Sequence, residues 1–278
     1  MAVAVLGYAS ADHCVAVPSL PAPDMTAIAR RLSAPWPRLG GCGPQIARRL
    51  ALLAVPARCL TWVAPDALGS ELLAQLQAAG AATGGVVVAG TRTAESYIAH
   101  DDAGRSVCFY DPGDAHSGGL GDEQRDAVAS AGVVCFTVAP AAATREALDA
   151  ASDDATVVWS VKADPDAYPD DLVARLLERA DVVAWAEGER GFVSGLPRDD
   201  ALVVETRGTR GVAWRRGERS GELAVRPIDV ADTTGAGDAL VAGVIAQLLA
   251  DPEDEEAAIA AGIDSSRALL QERMEATA

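Results

Sequence analysis

The stretch DTTGAGD at residues 232–238 places two glycines and two carboxylates directly before a long apolar segment, ALVAGVIAQLLA. This pattern predicts a helix that is anchored in the core by its large apolar residues. The N–H groups of the first helical turn have no partners within the helix, and the helix dipole adds positive charge there. Because Gly235, Ala236 and Gly237 have little or no side chain, an anion such as a phosphate can reach their backbone.

Asp238 follows in the first turn of this helix, where the dipole favours a charged carboxylate and predicts a depressed pKa. Such a carboxylate can accept a proton from a hydroxyl that attacks a phosphoryl group held by the neighbouring amides. The alternative is an ordinary capped helix with an acid in its first turn, the usual meaning of an isolated Gly-x-Gly-Asp. Seven such residues at a strand-to-helix junction favour a phosphoryl-transfer site.

Short apolar runs without strict alternation are typical of strands that are buried on both faces. They lie at residues 2–7, 59–63, 85–90, 133–138, 156–161, 181–185 and 201–206. Helical patterns separate most of these runs, at residues 44–54, 67–80, 123–132, 143–151 and 170–180. The alternation predicts an α/β fold of three layers, in which helices flank a mostly parallel central sheet.

Two segments interrupt this alternation. Residues 12–40 contain five prolines and no clear helical pattern, and residues 91–110 read as two strands joined by a hairpin at 101–105, DDAGR. Together they predict a small β appendage beside the main sheet. Because no repeat, linker or second-domain boundary is visible, we expect residues 1–278 to form one domain.

The composition narrows the classes of function. The formal net charge is −17, from 23 basic and 40 acidic residues, so nucleic acid is not expected as a partner. No run of 18 apolar residues occurs, so no membrane span is expected. The five cysteines are scattered without a Cys-x-x-Cys pair, which argues against zinc or a disulfide framework and favours a reducing, cytoplasmic location.

The chain resembles the ribokinase (PfkB-type) family of carbohydrate kinases, whose C-terminal signature D-T-x-G-A-G-D it matches at 232–238. LGYASADH at 6–13 is similar to the family's strand that ends in Gly-x-x-x-x-Asp. LGGCGPQIA at 39–47 is similar to Gly-Gly-x-x-x-Asn-x-Ala, and ETRGTRG at 205–211 is similar to T-x-G-x-x-G. The resemblance covers nearly the whole chain and implies a central, mostly parallel sheet with a β lid over the sugar. The lid would be formed by about 12–40 and 91–110.

The resemblance implies a role for each part of the DTTGAGD motif. Asp238 would be the base that deprotonates the acceptor hydroxyl, and residues 235–237 would form the anion hole for the γ-phosphate of ATP. Asp232 would help to hold a monovalent cation, K⁺ among the candidates. Glu189 would help to organise Mg²⁺ through water.

The resemblance also implies two binding regions. Asp12 would bind a substrate hydroxyl, and the turn with Gly40, Gly41 and Gln45 would bind the sugar. The residues that would line the ATP site are Thr206, Gly208 and Gly211.

Two positions depart from the family pattern. The family's Asn-x-x-Glu motif reads AEGE at 186–189, so Ala186 stands in place of the asparagine. Gln45 stands where the sugar-turn asparagine is usual. Lys162 and Asp164 follow the strand at 156–161 and are further candidates, because ligands bind at the carboxyl edge of such sheets.

The sequence therefore predicts an ATP-dependent kinase that phosphorylates a hydroxyl, expected to be primary, of a sugar or sugar-like small molecule. One alternative is a nucleoside kinase on the same fold, for which Tyr97, Phe109 and Tyr110 are the aromatic residues placed to stack a base. The other is a sugar-binding regulator that has lost efficient catalysis, which Ala186 and Gln45 leave open. The resemblance also carries an expectation of a homodimer formed through the lid.

Overall fold

A nine-stranded sheet forms the centre of the protein in the computed structural model, which describes residues 2–32, 35–116 and 118–275. From one edge to the other its strands are β14 (Arg219–Leu223), β13 (Val212–Arg216), β12 (Leu202–Thr206), β11 (Val182–Ala186), β10 (Thr156–Ser160), β9 (Val133–Phe136), β1 (Val3–Leu6), β5 (Ala57–Val63) and β6 (Val86–Val88). The seven strands from β12 to β6 are parallel, and each corresponds to one of the seven predicted apolar runs.

Helices cover both faces of this sheet. On one face lie α1 (Cys42–Leu52), α2 (Ala67–Ala78), α6 (Ala236–Ala250) and α7 (Glu255–Glu275). On the other face lie α3 (Asp122–Ala129), α4 (Ala141–Ala150) and α5 (Asp170–Arg179). Each face has its own apolar core, so the predicted three-layer α/β fold is confirmed. No helix in the described residues is long and apolar enough to cross a lipid bilayer.

A second, smaller sheet is built from the two segments that interrupt the alternation. Its strands are β3 (Arg30–Arg31), β2 (Ser10–Val17), β7 (Glu95–Asp101) and β8 (Ser106–Asp111), with β4 (Arg38–Gly40) also paired to β2. The β7–β8 pair is antiparallel and turns at 101–105, as the DDAGR pattern predicts. Because β4 leads directly into α1, this sheet is connected to the carboxyl edge of the main sheet.

The helix α6 is held close to α7 by small residues. A Cβ atom added to Gly243 would lie 2.5 Å from the carbonyl oxygen of Ala261 and 2.8 Å from the Cα of Gly262. The two backbones can therefore approach only because these positions lack side chains. This contact fixes the direction of α6 and with it the position of the DTTGAGD loop.

Candidate active site

The predicted site residues gather where parallel strands end and two helices begin. β10, β11 and β12 end near Lys162, Ala186 and Thr206, while α1 begins at Cys42 and α6 at Ala236. Ligands of open α/β sheets bind at this carboxyl edge. The fold thus brings together residues that are far apart in the sequence.

Asp238 lies in the first turn of α6 and is buried. Its Oδ1 atom has no hydrogen-bond partner in the described part of the chain, while the thiol of Cys42 donates a hydrogen bond to the carboxylate. Burial raises the pKa of Asp238, and the charge of Lys162 and the Cys42 hydrogen bond act in the opposite direction. The predicted depressed pKa is therefore wrong, because desolvation of the carboxylate outweighs the helix dipole.

The turn before Asp238 leaves space for an anion. Gly235 has φ 86°, a left-handed conformation that glycine adopts readily, and it forms the N-cap of α6. The N–H of Ala236 donates to the Thr233 carbonyl at 3.1 Å, whereas no hydrogen bond within the described residues engages the N–H groups of Gly235 and Gly237. A Cβ atom at Gly237 would meet nothing within 4 Å, so its side of the turn is open.

Lys162 is the only lysine in the chain, and it lies just beyond β10 at this edge. Its Nζ atom is 3.5 Å from Oε1 of Glu189. The negative charges of Asp238 and Glu189 raise the pKa of Lys162, so its ammonium group is charged at neutral pH. A single positive charge thus lies beside Glu189, which the sequence predicts for magnesium, and acts on Asp238, which it predicts for catalysis.

Glu189 lies in a short 3₁₀ helix, Glu187–Phe192, that follows β11. Its Oε2 atom accepts a hydrogen bond of 2.8 Å from the backbone N–H of Ala186. This contact fixes the carboxylate on the turn although the asparagine side chain is missing at Ala186. The other oxygen faces Lys162.

Asp232 is buried and forms an ion pair with Arg38 of β4. The Arg38 guanidinium and the Thr234 N–H, which donates at 2.9 Å, occupy its carboxylate oxygens. These hydrogen bonds hold the pKa of Asp232 at about 2, although burial alone would raise it. Arg38 has no signal in the sequence, because its partner lies 194 residues away.

The predicted substrate residues lie together on the second sheet and the start of α1. Asp12, in the middle of β2, is buried and accepts a hydrogen bond of 2.7 Å from Ser10. A Cβ atom at Gly40 would lie 1.9 Å from Oδ1 of Asp12, so only glycine permits this contact. Gly41 has φ 85° and forms the N-cap of α1, and the amide of Gln45 donates to the Leu39 carbonyl. Gln45 therefore stabilises the turn itself.

The predicted nucleotide residues lie at the next strand end. Thr206 ends β12 and pairs with Ala186 of β11, which places it beside the Glu189 turn. A Cβ atom at Gly208 would meet nothing within 4 Å, whereas one at Gly211 would lie 2.3 Å from the Leu223 carbonyl oxygen. Gly211 thus has a packing role at the sheet edge, and Gly208 faces open space.

The aromatic residues proposed for base stacking occupy different surroundings. Tyr97 stacks on His13 with ring centroids 4.8 Å apart, and Phe109 is 67% exposed. Tyr110 instead lies 6.1 Å from the ring of Tyr8, the second residue after β1. Tyr8 was missed from the sequence, although its position directly after Gly7 at a strand end is a usable signal.

Comparison with known proteins identifies a family for the chain. A model described as pfkB family carbohydrate kinase matches residues 2–273. Over 93 residues the chain is 41% identical to a fructokinase from Klebsiella pneumoniae. The matched segment covers 29% of this chain and 30% of that protein. Over 100 residues it is 34% identical to a probable chloroplastic fructokinase-6 from Arabidopsis thaliana. This match covers 30% of this chain and 26% of that protein. The chain thus matches less than a third of the length of these curated relatives.

The fold is also shared with solved structures. A nucleoside kinase from Methanocaldococcus jannaschii, described as an archaeal member of the ribokinase family, superimposes with a TM-score of 0.77 at 16% identity, covering 97% of this chain and 91% of that one. The Arabidopsis thaliana ribokinase complexed with ribose and ATP gives a TM-score of 0.73 at 22% identity, covering 95% and 91%. Because the family model spans nearly the whole chain, this protein belongs to the pfkB family of carbohydrate kinases.

Proposed function

We propose that this protein transfers the γ-phosphoryl group of ATP to a hydroxyl of a sugar or sugar-like small molecule. The observation that carries the proposal is the buried Asp238 Oδ1 atom, which lacks a hydrogen-bond partner among the described residues. It lies in the first turn of α6, directly after Gly235 and Gly237, and the space at Gly237 is open. A buried carboxylate oxygen without a partner is costly unless a ligand completes its hydrogen bonding.

Asp238 would accept the proton of the acceptor hydroxyl as the oxygen attacks phosphorus. A raised pKa makes this carboxylate a stronger base than a solvent-exposed aspartate. The N–H groups of Gly235 and Gly237, at the positive end of α6, would stabilise the charge on the phosphoryl oxygens. The desolvated Asp238 carboxylate would thus act on the attacking hydroxyl, and the turn at Gly235 and Gly237 would act on the transferred phosphoryl group.

The ammonium group of Lys162 would neutralise negative charge on the transferred phosphoryl group. Its ammonium lies 3.5 Å from Glu189, and its charge interacts with that of Asp238. The Glu189 carboxylate has the oxygen ligands that Mg²⁺ prefers and would hold the ion through water. Magnesium, when bound with ATP, supplies positive charge to the phosphates. The nucleotide would lie along Thr206 and Gly208.

The substrate would lie between the second sheet and the start of α1. Asp12 would accept hydrogen bonds from its hydroxyls, with Gly40 and Gly41 allowing close approach. Since the matched segments of two relatives are named fructokinases, D-fructose is the first acceptor to test. The second sheet would act as a lid, and a homodimer through this sheet stays a prediction that analytical ultracentrifugation can check.

A nucleoside acceptor is the second candidate. Tyr8, Tyr110 and His116 form an aromatic group, with the Tyr8 and His116 rings 4.4 Å apart. Burial lowers the pKa of His116 to about 4, so its ring is neutral and can pack against a base. Such a surface is suited to stacking of a purine or pyrimidine.

The test is ADP formation from ATP and Mg²⁺ with D-fructose, D-ribose, other hexoses and nucleosides in turn. We expect one class of acceptor to support turnover and Asp238→Asn to lower it by at least about 100-fold. Asp264→Asn, on the exposed side of α7, is the matched control and keeps the wild-type rate. Equal turnover by the Asp238→Asn and wild-type proteins would refute the role of the base. No turnover with any acceptor would refute the proposed kinase activity.

A further inference from the structure

The ion pair between Arg38 and Asp232 joins the second sheet to the loop that precedes α6. The two Nη atoms of Arg38 donate to different oxygens of the Asp232 carboxylate. The side chains are only 3% and 2% exposed. A bidentate, buried arrangement of this kind is the strongest form of arginine–carboxylate contact.

Asp232 in turn shapes the anion-binding turn. Its Oδ1 atom accepts a hydrogen bond of 2.9 Å from the Thr234 N–H, one residue before Gly235. The Thr234 hydroxyl lies 3.1 Å from Nε2 of His100 on β7. The charge that balances Asp232 therefore also sets the position of the backbone at Gly235.

The surroundings of Asp232 do not fit the monovalent cation that the family resemblance implies. Among the His, Cys, Asp and Glu side chains of the described residues, those grouped with the Asp232 carboxylate are the thiol of Cys14 and the ring of His100, with their ligand atoms within 4.8 Å of one another. Alkali cations are bound by sets of oxygen atoms that replace their hydration shell. Burial raises the pKa of Cys14 to about 12, so this sulfur is an uncharged thiol.

The local charges also oppose a further cation. Arg38 is present in the pair, and Arg273 of α7 lies near enough for the charge of Arg38 to act on it. Burial and the charge of Arg38 lower the pKa of Arg273 to about 10, which leaves it positive at neutral pH. The carboxylates that face this group are Asp232 and Asp12. The charge of Arg48 also acts on Arg273, so several arginine side chains already supply positive charge around Asp232.

We infer that Arg38 serves as a built-in cation at Asp232, so that the protein needs no bound potassium. The guanidinium neutralises the carboxylate and holds the turn at Gly235 in place. Arg38 is a positioning residue, since it acts on the phosphoryl-binding turn through Asp232. The effect on the reaction rate rests on the proposed kinase function, but the effect on the stability of the fold does not.

The first experiment measures the melting temperature of the wild-type protein in KCl, NaCl or choline chloride at equal ionic strength. We expect the same melting temperature in all three salts. The rate of ADP formation with D-fructose, if that acceptor is used, should also be unchanged. Stabilisation or activation by K⁺ over choline would overturn the inference, and the melting arm gives this answer even for a protein without kinase activity.

The second experiment uses Arg38→Ala, which removes the cation and leaves a space of its size. Guanidinium chloride at about 10 mM should raise the melting temperature of this variant by about 2–4 °C and leave the wild type unchanged. Arg48→Ala, which removes a partly exposed arginine of α1, is the control and should show no such rescue. An Arg38→Ala protein as stable as the wild type and indifferent to guanidinium would overturn the inference.

Arg38→Lys covers the case in which the alanine variant does not fold, because lysine keeps the charge without the bidentate contact. A folded lysine variant with the same melting temperature in K⁺ and choline supports the built-in cation. Stabilisation of this variant by K⁺ would overturn it. Zn²⁺ titration of the wild type checks whether Cys14, His100 and Asp232 bind a metal instead, and stabilisation by stoichiometric Zn²⁺ would also contradict the inference.

Discussion

Lys162→Met is the substitution that tests most directly how charge is arranged at the candidate site. Methionine keeps most of the length of the side chain and removes the ammonium group that lies 3.5 Å from Glu189. A hydrogen bond to a charged group contributes about 1.5–3 kcal/mol. If Lys162 binds the transferred phosphoryl group, kcat/KM should fall by roughly 10- to 150-fold.

The pH dependence of kcat/KM gives a second, independent test of the charge at Lys162. Asp238 must be deprotonated to act as a base, so kcat/KM should decrease as the pH falls through its raised pKa. The charge of Lys162 lowers this pKa against the effect of burial. Removing that charge therefore moves the acidic limb of the profile to higher pH, while Lys162→Arg should leave it near the wild-type position.

The assay is the pH profile of kcat/KM for the wild type and both variants. Because the chain has one lysine, an acyl phosphate derivative of ATP, which acylates amines near the nucleotide phosphates, should label a single lysine-containing peptide. An acidic limb that stays in place, a rate close to wild type and no labelling of Lys162 would together refute the reasoning.

Three further predictions concern the base and the packing. Asp238→Asn should lower kcat by about 10²–10⁴-fold, measured by ADP release. Arg38→Met and Asp232→Asn should each cost about 3–5 kcal/mol in urea unfolding, and the double variant should cost less than their sum, whereas additivity would contradict a coupled pair. Gly243→Leu should destabilise by about 1–3 kcal/mol through collision with α7, while Gly84→Ala, whose Cβ has open space, should not; equal unfolding midpoints would contradict this packing.

Much of the fold could be predicted from the sequence because its signals are local. Each parallel strand is a short apolar run, and each helix shows its own periodicity, so neighbouring residues carry the information. The antiparallel pair β13–β14 was missed because its strands contain charged residues at an exposed edge, including Arg215, Arg219 and Glu222. Such a pair has little apolar pattern to recognise.

The DTTGAGD motif can also be recognised from the sequence, because its glycines and carboxylates are contiguous and lie in one turn. Three properties of the site depend on the tertiary structure: the raised pKa of Asp238, the position of Lys162 beside Glu189, and the pairing of Arg38 with Asp232. Each results from burial or from contact between residues distant in the chain. The sequence by itself predicted candidate residues for the chemistry, without Arg38 and Tyr8, whereas folding decided the charge and the partners of these residues, because desolvation and ion pairing depend on what surrounds a group in space.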